Sequence, residues 1–268
     1  MYDALGITVN FEFGKIAMKK RVYITWFHHH VIKEWFRYRE YGMHLLSFDY
    51  HTDFCEAFVG KFAGPSKYSR ELHNSYLRKH IPCNDVESAI RDLRNDEHID
   101  FAIRSRMVDK AFIFSRNTNT FHDARVLSIP SVRKQVVRAG IFSCCEVDHP
   151  LAAPQPYNDI TEARMARLIA SDEVLHKVIK TFGEYGFNQD NYILDFDCDF
   201  IRDREAMMHG KFQTLKELIR GAKAITIARE PGCVCECSGE TLSYEEIETW
   251  LVGLIQDCVD GVEIERET

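Results

Sequence analysis

The sequence predicts an α/β protein of three layers, in which helices cover both faces of a mainly parallel β-sheet. Short apolar runs rich in β-branched and aromatic residues alternate along the chain with segments of helical periodicity. Such alternation is typical of parallel strands joined by crossover helices. Acidic residues and histidines follow several of the predicted strands. Because ligands of parallel sheets bind beyond the carboxyl ends of the strands, the fold class also predicts where a functional site should lie.

In the first half of the chain, the apolar runs RVYITWF at 21–27 and HLLSF at 44–48 predict strands. Between them, VIKEWFRYRE at 31–40 predicts a helix, because its large apolar residues recur near one helical face. The other elements predicted in this half are a loop and helix at 64–80, a helix at 86–95 (VESAIRDLRN), and strands at 101–106 (FAIRSR) and 110–116 (KAFIFSR).

In the second half, NYILDF at 191–196 and AITIA at 224–228 predict strands. Ser243 and Glu246 have the spacing of a capping box, which predicts that a last helix begins there. The other helices predicted in this half cover residues 160–186 and 205–222.

The composition indicates a single domain over residues 1–268. With 45% hydrophobic residues, the chain can bury one large core, and no linker or low-complexity tract divides it. The net charge of −7 disfavours nucleic acid as a partner and suits a cationic substrate. No signal peptide or apolar run of membrane-spanning length is found, so we expect a soluble protein without a membrane partner.

The nine cysteines do not have the pattern of a disulfide framework, which favours a reducing cytoplasm. Cys233, Cys235 and Cys237 alternate, and we interpret them as reduced residues of a loop or strand at the rim of a pocket. Cys198 is predicted to point into the core.

Two short acidic segments, FDYHTDF at 48–54 and LDFDCDF at 194–200, each follow an apolar run. In the first segment, strand alternation places Asp49, His51 and Asp53 on one face of a strand end. Converging carboxylates repel one another unless cations are present, whereas two divalent ions would bind them as bridging and terminal ligands. The sequence therefore predicts a metal centre, and its histidine favours manganese over calcium. The aspartates that alternation places on one face of the second segment are Asp195, Asp197 and Asp199.

FDYHTDF resembles the Asp-x-His-x-Asp signature of the arginase and agmatinase (ureohydrolase) superfamily, and LDFDCDF resembles its second aspartate pair. The triple histidine at 28–30 stands where that family has a ligand histidine one strand earlier. The short chain and the tryptophan-containing amphipathic helix after the histidines look most like the peptide arginases. Those enzymes convert arginine residues of ribosomally made peptides to ornithine. The resemblance implies an arginase/deacetylase-like fold and two Mn²⁺ ions.

The resemblance also implies a ligand set, which is one histidine, favoured as His28 or His29, with Asp49, His51, Asp53, Asp197 and Asp199. Asp195 stands where the family often has a small polar residue. It could replace a ligand, orient one from outside the ligand shell, or reflect a one-step error in the alignment.

In the family, a hydroxide shared by the two ions attacks the guanidinium carbon and releases urea. The resemblance implies that Asp53 takes the proton of the nucleophile and that Glu230, after the strand AITIA, binds the guanidinium. Cys55 stands where free-arginine enzymes usually have an asparagine that helps to hold the substrate α-carboxylate. We therefore expect an arginine-containing peptide as the substrate. The histidines that remain as alternatives for carrying the proton outward are His73, His80 and His122.

Three other interpretations remain open at this point. The same chemistry could act on a small free guanidino compound, or the fold could carry a zinc-dependent deacetylase with a single ion. A non-catalytic peptide-binding module is a third interpretation, which the intact ligand set disfavours. The resemblance is also compatible with a homo-oligomer.

Overall fold

The computed structural model describes residues 19–51, 53, 55–62, 69–81, 85–115, 172–202, 204–208, 210–239 and 241–268. It also describes the backbone of three strands between residues 125 and 146. The predicted helix over 160–186 lies partly outside the described residues, and His122 lies wholly outside them.

The strands form one sheet in the order β4-β5-β6-β3-β2-β7-β8-β1-β9. From β6 to β9 in this order every described pair of neighbours is parallel, and β4 and β5 are antiparallel. The predicted mainly parallel sheet is thus confirmed. The strands are β1 (Lys20–Thr25), β2 (His44–Asp49), β3 (Lys110–Ser115), β4 (Arg125–Ile129), β5 (Val132–Arg138), β6 (Ile141–Glu146), β7 (Tyr192–Asp197), β8 (Ala224–Ala228) and β9 (Val262–Arg266).

Helices lie between most of the parallel strands. A 3-10 turn, His28–Val31, follows β1 and leads directly into the first helix. The helices of the described residues are α1 (Ile32–Trp35), α2 (Val59–Phe62), α3 (Arg70–His80), α4 (Val86–Asp92), α5 (His98–Arg104), α6 (Asp172–Glu184), α7 (Arg204–Met208), α8 (Gln213–Gly221), α9 (Pro231–Ser238) and α10 (Tyr244–Cys258). None of them is both long and apolar enough to cross a membrane.

Both faces of the central strands are buried, because successive strand residues point to opposite faces. Leu194 of β7 belongs to an apolar layer with α6, α8 and α10, whereas its neighbour Ile193 belongs to a layer with α1, α4 and α5. Trp35 is fully buried in the second layer, and Cys198 is buried in the first, as predicted. This arrangement is consistent with the predicted three layers.

Three predicted elements differ in the structure. FAIRSR forms the second half of α5 rather than a strand, because a short apolar run does not distinguish a buried helix from a strand; Phe101 and Ala102 are both buried in the second apolar layer. The helix predicted over 205–222 is two helices, since Phe212 before α8 has φ +52°, a conformation that ends a helix. The alternating cysteines lie in α9, which begins at Pro231 and is terminated by Gly239, directly after Ser238, with φ +60°.

The carboxyl ends of β2, β7, β8 and β1 are consecutive along one edge of the sheet. Each end is followed by one of the polar segments singled out in the sequence, including the triple histidine and Glu230. The fold therefore brings segments that are far apart in the chain to the same edge.

The predicted capping box at α10 is confirmed. Ser243 Oγ accepts a hydrogen bond from the Glu246 backbone N–H at 3.3 Å, and Glu246 Oε2 accepts one from the Ser243 N–H at 3.1 Å. The helix buries Ile247 and Leu251 against the sheet.

We expect Ser243→Ala to lower the free energy of unfolding by about 1 kcal/mol, because the substitution leaves a helix N–H without its acceptor. Urea denaturation monitored by circular dichroism measures this. Thr249→Ala, on the exposed middle of the same helix, is the matched control and should change the free energy of unfolding by less than about 0.5 kcal/mol. Equal stabilities of the Ser243→Ala variant and the parent would contradict the prediction.

Candidate metal centre

One imidazole nitrogen at the sheet edge is surrounded by three carboxylates. His28 Nδ1 lies 2.9 Å from Asp53 Oδ2, 3.2 Å from Asp197 Oδ2 and 3.7 Å from Asp49 Oδ2. All four side chains are buried. Their nitrogen and oxygen atoms lie close enough together to hold a metal ion.

A second group shares Asp49 with the first. His51 Nδ1 lies 3.1 Å from Asp199 Oδ2 and 3.9 Å from Asp49 Oδ1. Asp49, His51 and Asp199 form another set that could hold an ion. Asp49 therefore belongs to both groups that could hold an ion.

Each of the two acidic segments extends beyond the end of its strand. The prediction that strand alternation places all their acidic residues on one strand face is therefore wrong. β2 stops at Asp49, so His51 and Asp53 lie in the following loop, and Asp53 has φ +41°. β7 stops at Asp197, and Asp199 lies in a 3-10 turn where its N–H donates to Asp197 Oδ1 at 3.1 Å. The turns, rather than a continued strand, direct these side chains to one point.

The acidic groups fit a metal centre on charge and on hydrogen bonding. Burial, reinforced by neighbouring carboxylates, raises the pKa of Asp49 and Asp197 well above the usual range. Asp49 Oδ2 and Asp199 Oδ2 are buried and accept no hydrogen bond among the described residues. His51 Nδ1 lies 3.1 Å from Asp199 Oδ2, close enough for an ion pair when the imidazole is protonated. Oxygen ligands with one imidazole in each group suit divalent ions such as Mn²⁺.

A row of polar side chains across three strands orients His28. In register, Ser47 of β2 pairs with Asp195 of β7, which pairs with Thr226 of β8. Asp195 Oδ2 accepts hydrogen bonds from Ser47 Oγ and His28 Nε2, both at 2.8 Å, and Asp195 Oδ1 accepts one from Thr226 Oγ1 at 2.6 Å. Both oxygens of Asp195 are thus engaged by the protein. Of the three alternatives for Asp195, this geometry matches an orienting role beside a ligand.

The Asp195 contact also determines which nitrogen of His28 faces the cluster. Burial lowers the pKa of His28, but the Asp195 and Asp197 carboxylates outweigh burial and raise it well above the usual value. Asp195 accepts a hydrogen bond from Nε2–H, so Nδ1 is the nitrogen directed at the other carboxylates.

The structure separates the three consecutive histidines. His29, the other favoured ligand, does not join the cluster, since its Nδ1 lies 2.5 Å from Asn95 Oδ1. Burial, together with the neighbouring His30, lowers the pKa of His29 to about 4. His30 pairs with Glu267 at 2.6 Å. The 3-10 turn turns successive side chains in different directions, so only His28 points inward.

Glu230 lies at the rim of the cluster and is 5% exposed. Its Oε1 accepts a hydrogen bond from the His28 N–H at 2.6 Å, and its Oε2 accepts one from Asn95 Nδ2 at 3.2 Å. Burial raises the pKa of Glu230. Glu230 has φ +40°, so two non-glycine residues of this site, Asp53 and Glu230, have left-handed backbone conformations. Such strain is commonly retained at functional sites.

The other predicted site residues lie outside the two groups. Cys55 is exposed, and its N–H donates to the Asp96 carbonyl at 2.7 Å. His73 Nε2 bonds to the Ala57 carbonyl at 2.7 Å, and the His80 ring stacks on Tyr76. Nothing in these contacts selects a proton shuttle among the described histidines.

Sequence reasoning missed His98. It lies at the start of α5, in a region whose second half was predicted as a strand, and its ring centroid is 4.3 Å from that of His28. His28, Asp53 and His98 form a third set that could hold an ion. No sequence pattern marks this histidine, because tertiary packing alone brings α5 against the 3-10 turn.

A scan against protein-family models found no match for this chain, and a search of curated proteins found none either. The class that the fold and the site define is an α/β protein with a buried cluster of aspartates and histidines that could bind metal ions.

In protein stripped of metal by a chelator, we expect His51 to titrate with a pKa of about 9, because contact with Asp199 outweighs burial. The folded pKa lies above the unfolded value of about 6.5. The ion pair therefore stabilises the fold fully below pH 6.5, and this stabilisation is lost as the pH rises through 9.

Nitrogen-detected NMR of the imidazoles measures the pKa of His51. Asp199→Asn should return it towards about 6.5, whereas Asp190→Asn, in an exposed turn, should leave it unchanged. A pKa near 6.5 for His51 in the parent protein would refute the expected ion pair.

Proposed function

We propose that this protein is a dinuclear manganese hydrolase that cleaves the guanidinium group of peptidyl arginine to give ornithine and urea. The observation that carries the proposal is the sharing of Asp49 between two ligand groups, each with its own imidazole, His28 and His51. When bound, two divalent ions would supply an activated water and neutralise the carboxylates. The remaining roles belong to side chains of this chain.

The acidic rim of the centre suits a cationic substrate. Glu230 Oε1 accepts a hydrogen bond from His28 N–H, and its Oε2 accepts from Asn95 Nδ2 and, at 3.9 Å, from Cys233 Sγ. A carboxylate has about four acceptor positions, so Glu230 retains capacity for the N–H groups of a guanidinium. The hydrogen bond from the His28 N–H fixes the Glu230 carboxylate relative to the cluster. A guanidinium bound by Glu230 would therefore have a defined orientation.

Asp53 is the proposed proton acceptor. Its Oδ2 faces His28 Nδ1 at 2.9 Å, and burial raises its pKa against the opposing effect of His28. Asp53 belongs to the ligand group of His28, which places its carboxylate beside any water that an ion of this group would activate. Asp53 would take the proton of the attacking water and return it to the leaving nitrogen.

Exposed aromatic residues beside the centre support a peptide substrate. Trp26 and Phe27, directly before His28, are 36% and 47% exposed. Arg229 lies over the Trp26 ring at 4.4 Å and is held by Glu248 at 2.7 Å, which keeps this surface ordered. An apolar surface of this kind can contact a peptide on either side of its arginine, and Cys55 provides no charge clamp for a free amino acid.

A zinc deacetylase is the second candidate, because Asp49, His51 and Asp199 could hold a single ion without the first group. Acetate release from an acetyl-lysine peptide by protein with one zinc ion would favour it. The same chemistry on a small free guanidino compound is a further alternative. A higher kcat/KM for free arginine than for an arginine peptide would favour it over a peptide substrate.

We expect manganese-loaded protein to release urea from an N-acetylated, C-amidated arginine peptide faster than from free arginine. Asp53→Ala and Asp197→Ala should each lower kcat/KM by at least about 100-fold, since each removes a proton acceptor or ligand. Colorimetric urea assay, with mass spectrometry of the ornithine product, measures both results.

Asp190→Ala, an exposed substitution at the opposite end of β7, is the matched control and should retain full activity. Circular dichroism of all three variants tests that the fold is kept. Absence of urea from every guanidino substrate with two ions bound would overturn the proposal.

A further inference from the structure

His98 has an unused nitrogen inside the protein, next to the proposed metal centre. The residue is 0% exposed, and its ring is packed between His28 and Trp35, with centroid distances of 4.3 and 5.4 Å. Its Nε2 is buried and has no hydrogen-bond partner among the described residues. A buried polar atom without a partner is destabilising, so an arrangement that leaves Nε2 unpaired calls for a compensating ligand.

The opposite nitrogen of His98 determines its tautomer. His98 Nδ1 lies 2.6 Å from the Asn95 carbonyl oxygen, which can only accept a hydrogen bond. Nδ1 therefore carries the hydrogen and Nε2 carries the lone pair. A lone pair on a buried Nε2 can bind a proton donor or a cation, and the described surroundings provide no proton donor for it.

Asn95 connects this histidine to the rest of the centre. Its carbonyl fixes His98, its Nδ2 donates to Glu230 Oε2 at 3.2 Å, and its Oδ1 contacts His29 Nδ1 at 2.5 Å. The same loop residue thus orients a buried imidazole and the proposed guanidinium-binding carboxylate.

His28 and His98 are held in the same way. Each has one nitrogen bonded to a protein acceptor, Asp195 for His28 and the Asn95 carbonyl for His98, and each directs the other nitrogen inward. Metal-binding histidines usually have such a partner on the second nitrogen. His28, Asp53 and His98 each offer a ligand atom within 4.8 Å of the others.

We propose that His98 Nε2 is a ligand of the ion held by His28 and Asp53. This inference rests on the metal centre of the proposed function and deepens it. The two ion positions then differ, because one has two imidazoles, His28 and His98, and the other has only His51. Zinc, cobalt and nickel bind imidazole ligands more favourably than manganese does, whereas manganese suits carboxylate oxygens. The ion position next to His98 should therefore favour those three ions relative to manganese.

X-ray absorption spectroscopy of the full-length protein loaded with zinc or cobalt tests the inference without relying on activity. Multiple scattering from imidazole counts the histidine ligands. We expect three imidazoles for two bound ions, namely His28, His51 and His98. Two bound ions with only two imidazoles would overturn the inference and leave the proposed function intact, whereas protein that binds no divalent ion would overturn the proposed function itself.

A pair of substitutions separates ligation from packing. The amide nitrogen of His98→Asn can replace Nδ1 as donor to the Asn95 carbonyl, but this variant has no atom in place of Nε2. We expect it to lower zinc affinity at one position by at least about tenfold and to lower manganese affinity less. His98→Gln, whose amide reaches the place of Nε2, should recover part of the loss.

Calorimetric titration with zinc and with manganese measures these affinities. Equal affinities in the parent and in folded His98→Asn would mean that His98 is only a packing residue and would refute the inference. If His98→Asn does not fold, as judged by circular dichroism, the imidazole count of the parent protein decides the question alone.

Discussion

The interaction on which the rest of the structure depends is the mutual repulsion of buried carboxylates at one edge of the sheet. Asp49, Asp53 and Asp197 surround a single imidazole nitrogen of His28 at 2.9–3.7 Å, and their burial raises the pKa of each. One imidazole does not balance three ionised carboxylates, so without a bound ion the carboxylates take up protons, as their raised pKa values indicate, and bound cations would replace those protons. The fold holds these groups in place against their repulsion.

Two apolar layers and one polar row provide this rigidity. The central strands are buried on both faces, so they cannot shift in register without moving large apolar side chains out of the core. Between these layers, Ser47, Asp195 and Thr226 lie at the same level of three neighbouring strands and orient His28. Trp35 Nε1 donates to Thr226 Oγ1 at 3.2 Å, which links the polar row to helix α1. The position of the His28 nitrogen that faces the carboxylate cluster therefore depends on the packing of the core.

The sequence predicted the strands before both acidic motifs, because apolar runs and the residues that follow them are local signals. It did not determine which of His28 and His29 faces the cluster, since a 3-10 turn sets side-chain direction through contacts with Asn95 and Glu230 that are remote in sequence. His98 was missed for a related reason. The apolar run FAIRSR is too short for its periodicity to show that it is part of helix α5. Only the packing of that helix brings its first residue, His98, next to His28.

Anomalous diffraction from crystals soaked with manganese tests the central claim most directly. We predict two peaks about 3.5–4 Å apart at the ends of β2 and β7, with the Asp49 carboxylate between them. Asp195 should remain bonded to His28 and Thr226 without contacting either peak. A single peak, or none at saturating manganese, would contradict the account.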